Sequence, residues 1–333
     1  MDFKTALGEI VKKPHSFTLF TAPLGWGKTR IIWDLLETNS KIILLCPLRS
    51  IVEEVKSREN TFSFEGENKT KEFKRFLRAK KGIFACTVES FMSLDIKEII
   101  NEHKPLFVFD EFHLFLEWGA DFRPVLFDIY RDIITLKGRL LAVTATCPGE
   151  MINEVKQDCS RNDFEFHLID IGNFKFRADP KKIVKLLKKD LLCDFEITAR
   201  SPLTRGRILL FVKSLHEVQW WFQYCKSRGV SANFCVGGDV QSFVQREGRY
   251  SKVIIATSVL SHGVNFRNMR HVYISYSPSS SFETQMLGRG GRFGEKFIGY
   301  TINTSQQISL LSKIGVKIRR FVRDIQLGVL NFV

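Results

Sequence analysis

A glycine-rich turn near the amino terminus holds a lysine and a threonine that could bind phosphate. Residues 22–29 read Ala-Pro-Leu-Gly-Trp-Gly-Lys-Thr and follow a run of mostly apolar residues. Gly25 and Gly27 would let the backbone pass close to an anion, so that its N–H groups point at phosphate oxygens. Lys28 would then place a positive charge at the β- and γ-phosphates, and Thr29 would offer a hydroxyl to Mg²⁺. The pattern predicts a site for a nucleoside triphosphate and its magnesium ion.

The same turn departs from the strict phosphate-binding pattern, which has glycine where this chain has Ala22. A glycine-rich turn that carries Lys-Thr by chance is therefore an alternative when the turn is considered alone. Trp26 is also unusual, because small residues are typical at its position, and we expect it to pack against a neighbour. The residues predicted to surround the phosphates are Ala22, Pro23, Leu24, Gly25, Trp26, Gly27, Lys28 and Thr29.

Two adjacent carboxylates, Asp110 and Glu111, follow the apolar run 106–109. Asp at the end of a buried strand can hold the Mg²⁺ bound to the phosphates, and a neighbouring Glu can orient or deprotonate the attacking water. A solvated loop is the alternative for an isolated pair, but the apolar run and the upstream glycine-rich turn argue against it. We assign His113, alone among the seven histidines, to the same nucleotide site.

Short strand-like runs alternate with helix-like stretches along the whole chain. Apolar runs such as 41–46 are typical of parallel strands covered on both faces, and the alternation predicts an α/β fold. We expect two such halves, 1–172 and 173–333, each a mainly parallel sheet flanked by helices. The predicted strands are 17–21, 41–46, 82–87, 105–109, 139–144, 165–171, 207–212, 252–256 and 272–275. The predicted helices include 28–37, 49–57, 69–81, 88–101, 181–192 and 214–227.

The net charge of +14 is confined to the second half of the chain. Residues 1–170 hold 24 Lys and Arg against 26 Asp and Glu, whereas residues 171–333 hold 26 against 10. Such an asymmetry is typical of a surface that binds a polyanion, with a merely solubilising basic surface as the alternative. Nucleic acid is the polyanion that this charge balance favours as a partner.

Composition also bounds the compartment and the classes of site. The seven cysteines are an odd number without a Cys-x-x-Cys pair, so we expect free thiols and no zinc or iron–sulfur centre. No apolar run reaches the roughly 18 residues that a membrane span requires, and the start of the sequence lacks the pattern of a secretory signal. We therefore expect an intracellular protein without a membrane partner, and its Lys-, Ile- and Phe-rich usage favours a virus or mobile element as its source.

The glycine-rich turn and the Asp-Glu-Phe-His sequence at 110–113 resemble motifs I and II of the superfamily 2 helicases, in the DExH group. That family tolerates Ala at the first position of the turn, and its later motifs follow here in order. The further resemblances are Val-Thr-Ala-Thr at 143–146 for motif III, Phe211 with Ser214 for motif IV, 256–265 for motif V, and 285–292 for motif VI. The last of these, Gln-Met-Leu-Gly-Arg-Gly-Gly-Arg, matches its motif at every fixed position.

The resemblance implies two tandem RecA-like domains, with Mg-ATP hydrolysed in the cleft between them. It implies that Arg289 and Arg292 stabilise charge on the transferring phosphoryl group, as guanidinium groups do in other phosphoryl-transfer enzymes. It also implies that Gln285 positions the water or contacts the γ-phosphate.

Motifs III and V carry further expected roles by the same resemblance. Thr144 and Thr146 would couple the nucleotide site to nucleic-acid binding. Gly263 and Asn265 would contact the nucleotide, with Asn265 standing where the family usually has Asp. An amide can still donate or accept a hydrogen bond there, but it carries no charge.

The resemblance extends to a motif Ia at 47–50 and a motif Ib at 87–90, and it implies that Arg49 by charge, and Thr87 and Thr257 by their hydroxyls, contact the backbone of the nucleic acid. Both threonines follow a predicted strand, so a helix N-cap is an equally simple role for each. The run 69–81 holds seven basic residues and one acid and predicts an amphipathic helix, whose charged face is either solvated or in contact with nucleic acid. The basic stretch 313–323 is a similar case.

These observations favour an ATP-dependent helicase or translocase, with DNA slightly preferred over RNA as the track. The motifs leave little sequence for further domains, so we expect a two-domain motor that takes its processivity from a protein partner. An ATP-switched nucleic-acid clamp or remodelling subunit with little unwinding is the alternative. A kinase or transporter ATPase is disfavoured by motif VI, and it would hydrolyse ATP without regard to nucleic acid.

Overall fold

A computed structural model describes residues 3–64, 69–121, 123–237, 243, 251–261 and 266–303. The chain divides into two compact units, Met1–Arg177 and Ala178–Val333. The sequence places the division earlier, at residue 172. Residues that follow 172 hydrogen-bond to the glycine-rich turn of the first unit, because Leu24 N–H donates to Lys175 O and Arg177 N–H donates to Leu24 O, over 2.9 and 3.1 Å.

Unit 1 alternates strands and helices, as the spacing of its apolar runs predicts. Its strands are β1 (Ser16–Thr21), β2 (Lys41–Cys46), β3 (Thr61–Ser63), β4 (Gly82–Thr87), β5 (Leu106–Asp110), β6 (Arg139–Thr144) and β7 (Glu165–Asp170). Its helices are α1 (Phe3–Lys12), α2 (Lys28–Asp34), α3 (Arg49–Val55), α4 (Lys69–Arg78), α5 (Val88–Phe91), α6 (Ile96–His103), α7 (His113–Asp121), α8 (Pro124–Thr135) and α9 (Gly149–Arg161). The sheet has the order β3-β4-β2-β5-β6-β1-β7 with every pair parallel.

The core of unit 1 lies on both faces of this sheet. Successive side chains of one strand point to opposite faces, so Phe107 joins one apolar cluster and Val108 joins the other. Helices α4 to α9 cover the first cluster, and helices α1 to α3 cover the second. Burial on both faces explains why the strands read as continuous apolar runs rather than alternating ones.

Unit 2 repeats the plan with a second parallel sheet. Its strands are β8 (Lys182–Leu186), β9 (Arg207–Phe211), β10 (Ala232–Cys235), β11 (Val253–Ala256), β12 (Met269–Ile274) and β13 (Ile298–Ile302). The helices described in it include α10 (Lys188–Arg200), α11 (Leu215–Ser227) and α12 (Ser280–Leu287). The sheet order is β10-β11-β9-β12-β13-β8, again parallel throughout. The prediction of two parallel-sheet α/β halves is therefore confirmed.

Three predicted helices differ from the structure. The sequence predicts one helix over 181–192, but its first part is β8, which pairs with β13, and the helix begins only at Lys188. A single helix over 88–101 is wrong, because α5 ends at Phe91 and Asp95 caps a separate helix by accepting from Glu98 N–H at 3.0 Å. The helix predicted over 28–37 continues after Asp34 as a 3₁₀ turn.

Two compositional expectations can be compared with the structure. All seven cysteines are free thiols, and all but Cys193 are buried, as the sequence predicts. Across the residues that the structure describes, no helix combines the length and the apolar character needed to cross a bilayer.

Candidate functional site

The glycine-rich turn begins where β1 ends, at the carboxyl edge of the sheet of unit 1. Ala22 is fully buried, and its N–H donates to Thr144 O of the neighbouring β6 at 3.2 Å. Gly25 and Gly27 have φ of 76° and 103°, in the left-handed region that glycine favours. A side chain on Gly27 would meet no atom within 4 Å, so the backbone angle rather than space explains this glycine.

Lys28 and Thr29 open α2 directly after the turn. Lys28 is only 8% exposed, whereas Gly25, Trp26 and Gly27 are exposed. Trp26 packs edge-on against Phe20, with ring centroids 5.7 Å apart, which agrees with the expectation that it packs on a neighbour. The ammonium of Lys28 is therefore held at the sheet edge, while the glycine backbone remains open to a ligand.

The acidic pair lies at the same edge of the sheet. Asp110 is the last residue of β5 and is 5% exposed, and Glu111 N–H donates to its Oδ1 at 3.0 Å. Burial and the neighbouring Glu111 raise the pKa of Asp110 well above its usual range, although Lys28 opposes the shift. Glu111 has a left-handed φ of 49°, which turns the chain sharply after the strand. When the pKa of a buried carboxyl group is raised in this way, a cation that binds beside it stabilises its charged form.

Strand order explains why these groups meet. In the sheet β5, β6 and β1 are neighbours, with Asp110 opposite Val143 and Thr21 opposite Thr144. Parallel strands end at one edge, and ligands of open α/β sheets bind there. The structure thus brings together the phosphate turn, the acidic pair and the Thr-Ala-Thr segment at one edge of the sheet.

His113 joins the acidic segment to the Thr-Ala-Thr segment. Its buried Nδ1 lies 2.8 Å from Thr144 Oγ1, which donates to Thr146 O at 3.0 Å and accepts from Thr146 N–H at 3.2 Å. Because the Thr144 proton goes to that carbonyl, Nδ1–H of His113 is the donor in this chain of bonds. Burial lowers the pKa of His113 to about 4, Lys28 adds to the shift, and Glu111, 3.7 Å away, opposes it.

A turn after β7 fixes the Thr-Ala-Thr segment to the phosphate turn. Asp170 accepts from the Thr21 hydroxyl at 2.8 Å and from the N–H groups of Gly172 and Asn173 at 2.9 and 2.8 Å. Burial alone would raise the pKa of Asp170, but these three hydrogen bonds, together with the positive charge of Lys175, outweigh it and lower the pKa. The Asn173 side chain in turn donates to Cys147 O and accepts from Cys147 N–H, over 2.8 and 2.9 Å.

The donor set of this edge fits magnesium. Thr29 offers a hydroxyl and Asp110 a carboxylate, and Mg²⁺ prefers such oxygen ligands together with substrate phosphates and water. In the described ranges, no group of three or more His, Cys, Asp and Glu side chains could hold a metal by itself. Thr29 and Asp110 thus suit a magnesium ion that arrives with a nucleotide, whose phosphates would supply further oxygen ligands.

The predicted nucleic-acid contacts of unit 1 line one cavity of about 590 Å³. Arg49, 87% exposed at its side chain, opens α3, and Thr87 ends β4. Thr87 takes the N-cap position of α5, but its hydroxyl donates to Ser90 Oγ at 3.1 Å rather than capping the helix. Arg123 lines the same cavity.

The basic run 69–81 forms an amphipathic helix, α4, as predicted. Phe73 and Phe76 are buried under it, and its basic residues from Lys71 onward are exposed. Lys41 donates to Phe76 O and Ala79 O, so a cation holds the carboxyl end of the helix.

In unit 2, motif VI lies at the end of α12. Gln285 is fully buried and Arg289 is 4% exposed, whereas Arg292 is half-buried and donates from Nε to Gly288 O at 2.9 Å. Gly291 has a left-handed φ of 63°, and a side chain there would meet Glu295 O at 2.6 Å. The local fold thus holds the two arginines on a tight glycine turn.

The remaining predicted residues of unit 2 fall at or beyond the limits of the description. Thr257 follows β11 and is half-buried. Gly263, Asn265 and the basic stretch 313–323 lie outside the described residues.

Sequence reasoning missed three residues that organise the site: Arg123, Asp170 and Asn173. The Arg-Pro sequence at 123–124 is a helix-start signal, because Pro is favoured in the first helical turn, but nothing local shows where the arginine side chain points. Asp170 ends a strand, as Asp110 does, and that shared position was the available signal.

Comparisons with known proteins agree with this arrangement. The family model for DEAD/DEAH box helicases matches residues 5–155, and that for the helicase conserved C-terminal domain matches residues 187–294. Eukaryotic initiation factor 4A-9 of Nicotiana tabacum is 26% identical over 226 residues, which are 64% of this chain and 52% of that protein. The match thus spans about half the length of the plant protein.

Solved structures share the fold. S. cerevisiae Dbp5 bound to RNA and ADP BeF3 is similar with a TM-score of 0.67 at 17% identity, covering 95% of this chain and 86% of that one. Mss116p bound to ssRNA and AMP-PNP is similar with a TM-score of 0.64 at 15% identity, covering 88% and 67%.

These comparisons change two finer expectations. The family model and the relatives point to the DEAD-box branch rather than the DExH group, although the motif at 110–113 reads Asp-Glu-Phe-His. They give no support to DNA as the preferred track. The two models together match most of the chain, residues 5–155 and 187–294, so at the broader level the chain belongs to the superfamily 2 helicases.

Proposed function

We propose that this chain hydrolyses Mg-ATP and uses the reaction to move on, or to separate, strands of RNA. The observation that carries the proposal is the meeting of three motifs at one sheet edge, where β5, β6 and β1 end side by side. Two of them supply the cation and carboxylates that phosphoryl transfer requires, and the third connects to them through His113.

Each group at this edge has a role that its surroundings support. The glycine N–H groups bind phosphate oxygens, and Lys28 neutralises charge on the β- and γ-phosphates. Thr29 and Asp110 would hold the magnesium ion, which would withdraw charge from the phosphates when bound. Glu111, held next to them by its left-handed turn, orients the attacking water and receives its proton.

Two arginines of unit 2 complete the proposed chemistry. Arg289 and Arg292 would stabilise the negative charge that develops on the transferring phosphoryl group, and Gln285 would contact the γ-phosphate or its water. The glycine turn of motif VI supports this role, because it fixes the backbone from which both guanidinium groups extend.

RNA is the proposed track. Two of the similar structures, Dbp5 and Mss116p, contain bound RNA, which supports RNA over DNA for this chain. The cavity with Arg49 and Thr87 is the proposed contact of unit 1 with the RNA backbone.

The proposal is tested by ATP turnover with no polymer, with single- and double-stranded RNA, and with the same forms of DNA. We expect RNA to stimulate turnover, and we expect Arg292→Ala to lower the kcat measured with RNA at least about a hundredfold. Arg200→Ala, which removes an exposed arginine elsewhere in unit 2, is the matched control and should behave like the wild type. Turnover that no polymer changes would refute the proposal, whereas stimulated turnover without duplex separation would indicate the clamp instead of the helicase.

A further inference from the structure

Arg123 lies between helices α7 and α8, and its side chain lines the cavity of unit 1. Its N–H donates to Trp118 O at 2.8 Å at the end of α7, and Pro124 then starts α8. Its guanidinium lies over the Trp118 ring, 5.6 Å from the centroid. With its side chain 22% exposed, this arginine is not an ordinary surface residue.

The guanidinium of Arg123 holds two separate segments of the chain together. One amino group donates to Pro47 O at 2.6 Å, and the other donates to the Glu89 carboxylate. Pro47 lies two residues before Arg49, and Glu89 lies two residues after Thr87. The two predicted RNA contacts are therefore carried by segments that this one side chain bridges.

Glu89 introduces a charge of the wrong sign into this cavity. Its side chain is 49% exposed, and it lines the cavity with Arg49 and Thr87. An unpaired carboxylate there would repel a phosphate group, whereas a carboxylate paired with a guanidinium repels it much less. Arg123 is thus placed to hold the geometry of the cavity and to cancel its negative charge.

We propose that Arg123 is a positioning residue for RNA binding, which fixes the Pro47 and Glu89 segments against each other and neutralises Glu89. This inference rests on the proposed function, since it takes the cavity to be the RNA contact of unit 1. Arg123 itself need not touch RNA, because both of its amino groups are engaged within the protein.

The test measures RNA binding by the full chain in the presence of a non-hydrolysable ATP analogue, using a fluorescent single-stranded RNA. The variants are Arg123→Ala, Glu89→Gln and the double variant, with Arg131→Ala as the control. Arg131 is an exposed arginine on α8, the helix that Arg123 precedes, and lies over the Phe127 ring, so its loss removes the same charge from a nearby part of unit 1. Thermal unfolding and the affinity for ATP without RNA are measured for each variant.

Arg123→Ala is expected to weaken RNA binding at least about tenfold, or 1.4 kcal/mol, and Arg131→Ala less than about threefold. Glu89→Gln alone is expected to leave binding unchanged or tighter. In the double variant, removal of the now unpaired carboxylate should restore a substantial part of the lost affinity. A purely structural role would leave the double variant as weak as Arg123→Ala.

Equal RNA affinity in Arg123→Ala and the wild type would overturn the inference, as would a double variant no tighter than Arg123→Ala. Failure of the wild type to bind RNA at all would instead overturn the proposed function. If Arg123→Ala does not fold, Arg123→Gln keeps a donor for Pro47 O but no charge, and it should show the same partial recovery on addition of Glu89→Gln.

Discussion

Two threonines of one sheet allow the same chemical change to be made with opposite expected results. Thr144 Oγ1 takes part in three hydrogen bonds, with His113 and with both backbone groups of Thr146. Thr18 Oγ1, on β1, is equally buried, and it has no hydrogen-bond partner among the described residues. Valine has nearly the shape of threonine and lacks only the hydroxyl, so each substitution isolates that group.

The expected free energies follow from these contacts. Thr144→Val leaves the buried Nδ1–H of His113 and the buried backbone groups of Thr146 without this partner, and each unsatisfied buried group costs about 1–3 kcal/mol. We expect a loss of about 3 kcal/mol in the free energy of unfolding of unit 1, or roughly 6–12 °C in Tm. Thr18→Val removes a polar atom whose burial is not compensated, so we expect no loss or a gain of about 1 kcal/mol.

Urea unfolding followed by tryptophan fluorescence measures both variants, with thermal unfolding as a second method. A destabilisation of Thr144→Val and Thr18→Val by the same amount would refute the reasoning, because it would show that the hydrogen bonds of Thr144 contribute nothing beyond those of any buried threonine. A neutral Thr144→Val would refute it as well.

Three further predictions concern the nucleotide site. Glu111→Gln should keep ATP binding and lower kcat by about 10²–10⁴-fold, measured by nucleotide binding and phosphate release; normal turnover would contradict the role of Glu111 as the base. The pKa of His113 is lowered to about 4, so below pH 6.5 the folded state binds fewer protons than the unfolded state. The neutral His113 therefore contributes at most about 3 kcal/mol to stability above pH 6.5, and this contribution is lost as the pH falls towards 4. A urea titration at pH 7 and pH 5 should show this loss in the wild type and a smaller one in His113→Gln, and equal losses would disprove it. Gly27→Ala should weaken ATP binding and cost about 1–2 kcal/mol of stability, since a left-handed φ of 103° strains any other residue; an unchanged variant would contradict the backbone argument.

Sequence patterns were sufficient for the sheet and for the nucleotide edge, for physical reasons. Buried parallel strands read as uninterrupted apolar runs, and the groups that contact phosphate follow those strands directly, as Lys28 and Asp110 do. Gly25 and Gly27 indicate a left-handed φ, and this backbone angle is determined by the local chain. Such features depend on neighbours in sequence, and they are therefore visible without the fold.

Features that depend on partners distant in sequence were not predictable. Lys182–Leu186 has the charge pattern of a helix face, but pairing with β13 makes it a strand. On α11, Leu215 is 58% exposed whereas Trp221 is buried, because packing selects one face of the helix among several apolar ones. Arg123 acts through Pro47 and Glu89, which are far away along the chain, so no local pattern marks it.

The central claim is that nucleotide binding at the edge of unit 1 controls RNA binding. Its most direct test is to measure the affinity of the full chain for single-stranded RNA with and without a non-hydrolysable ATP analogue. Coupled sites must affect each other reciprocally, and allosteric factors of about 5–150 are typical. We expect the analogue to tighten RNA binding at least about fivefold and RNA to tighten the analogue by the same factor. Identical RNA affinity with and without the analogue would contradict the account.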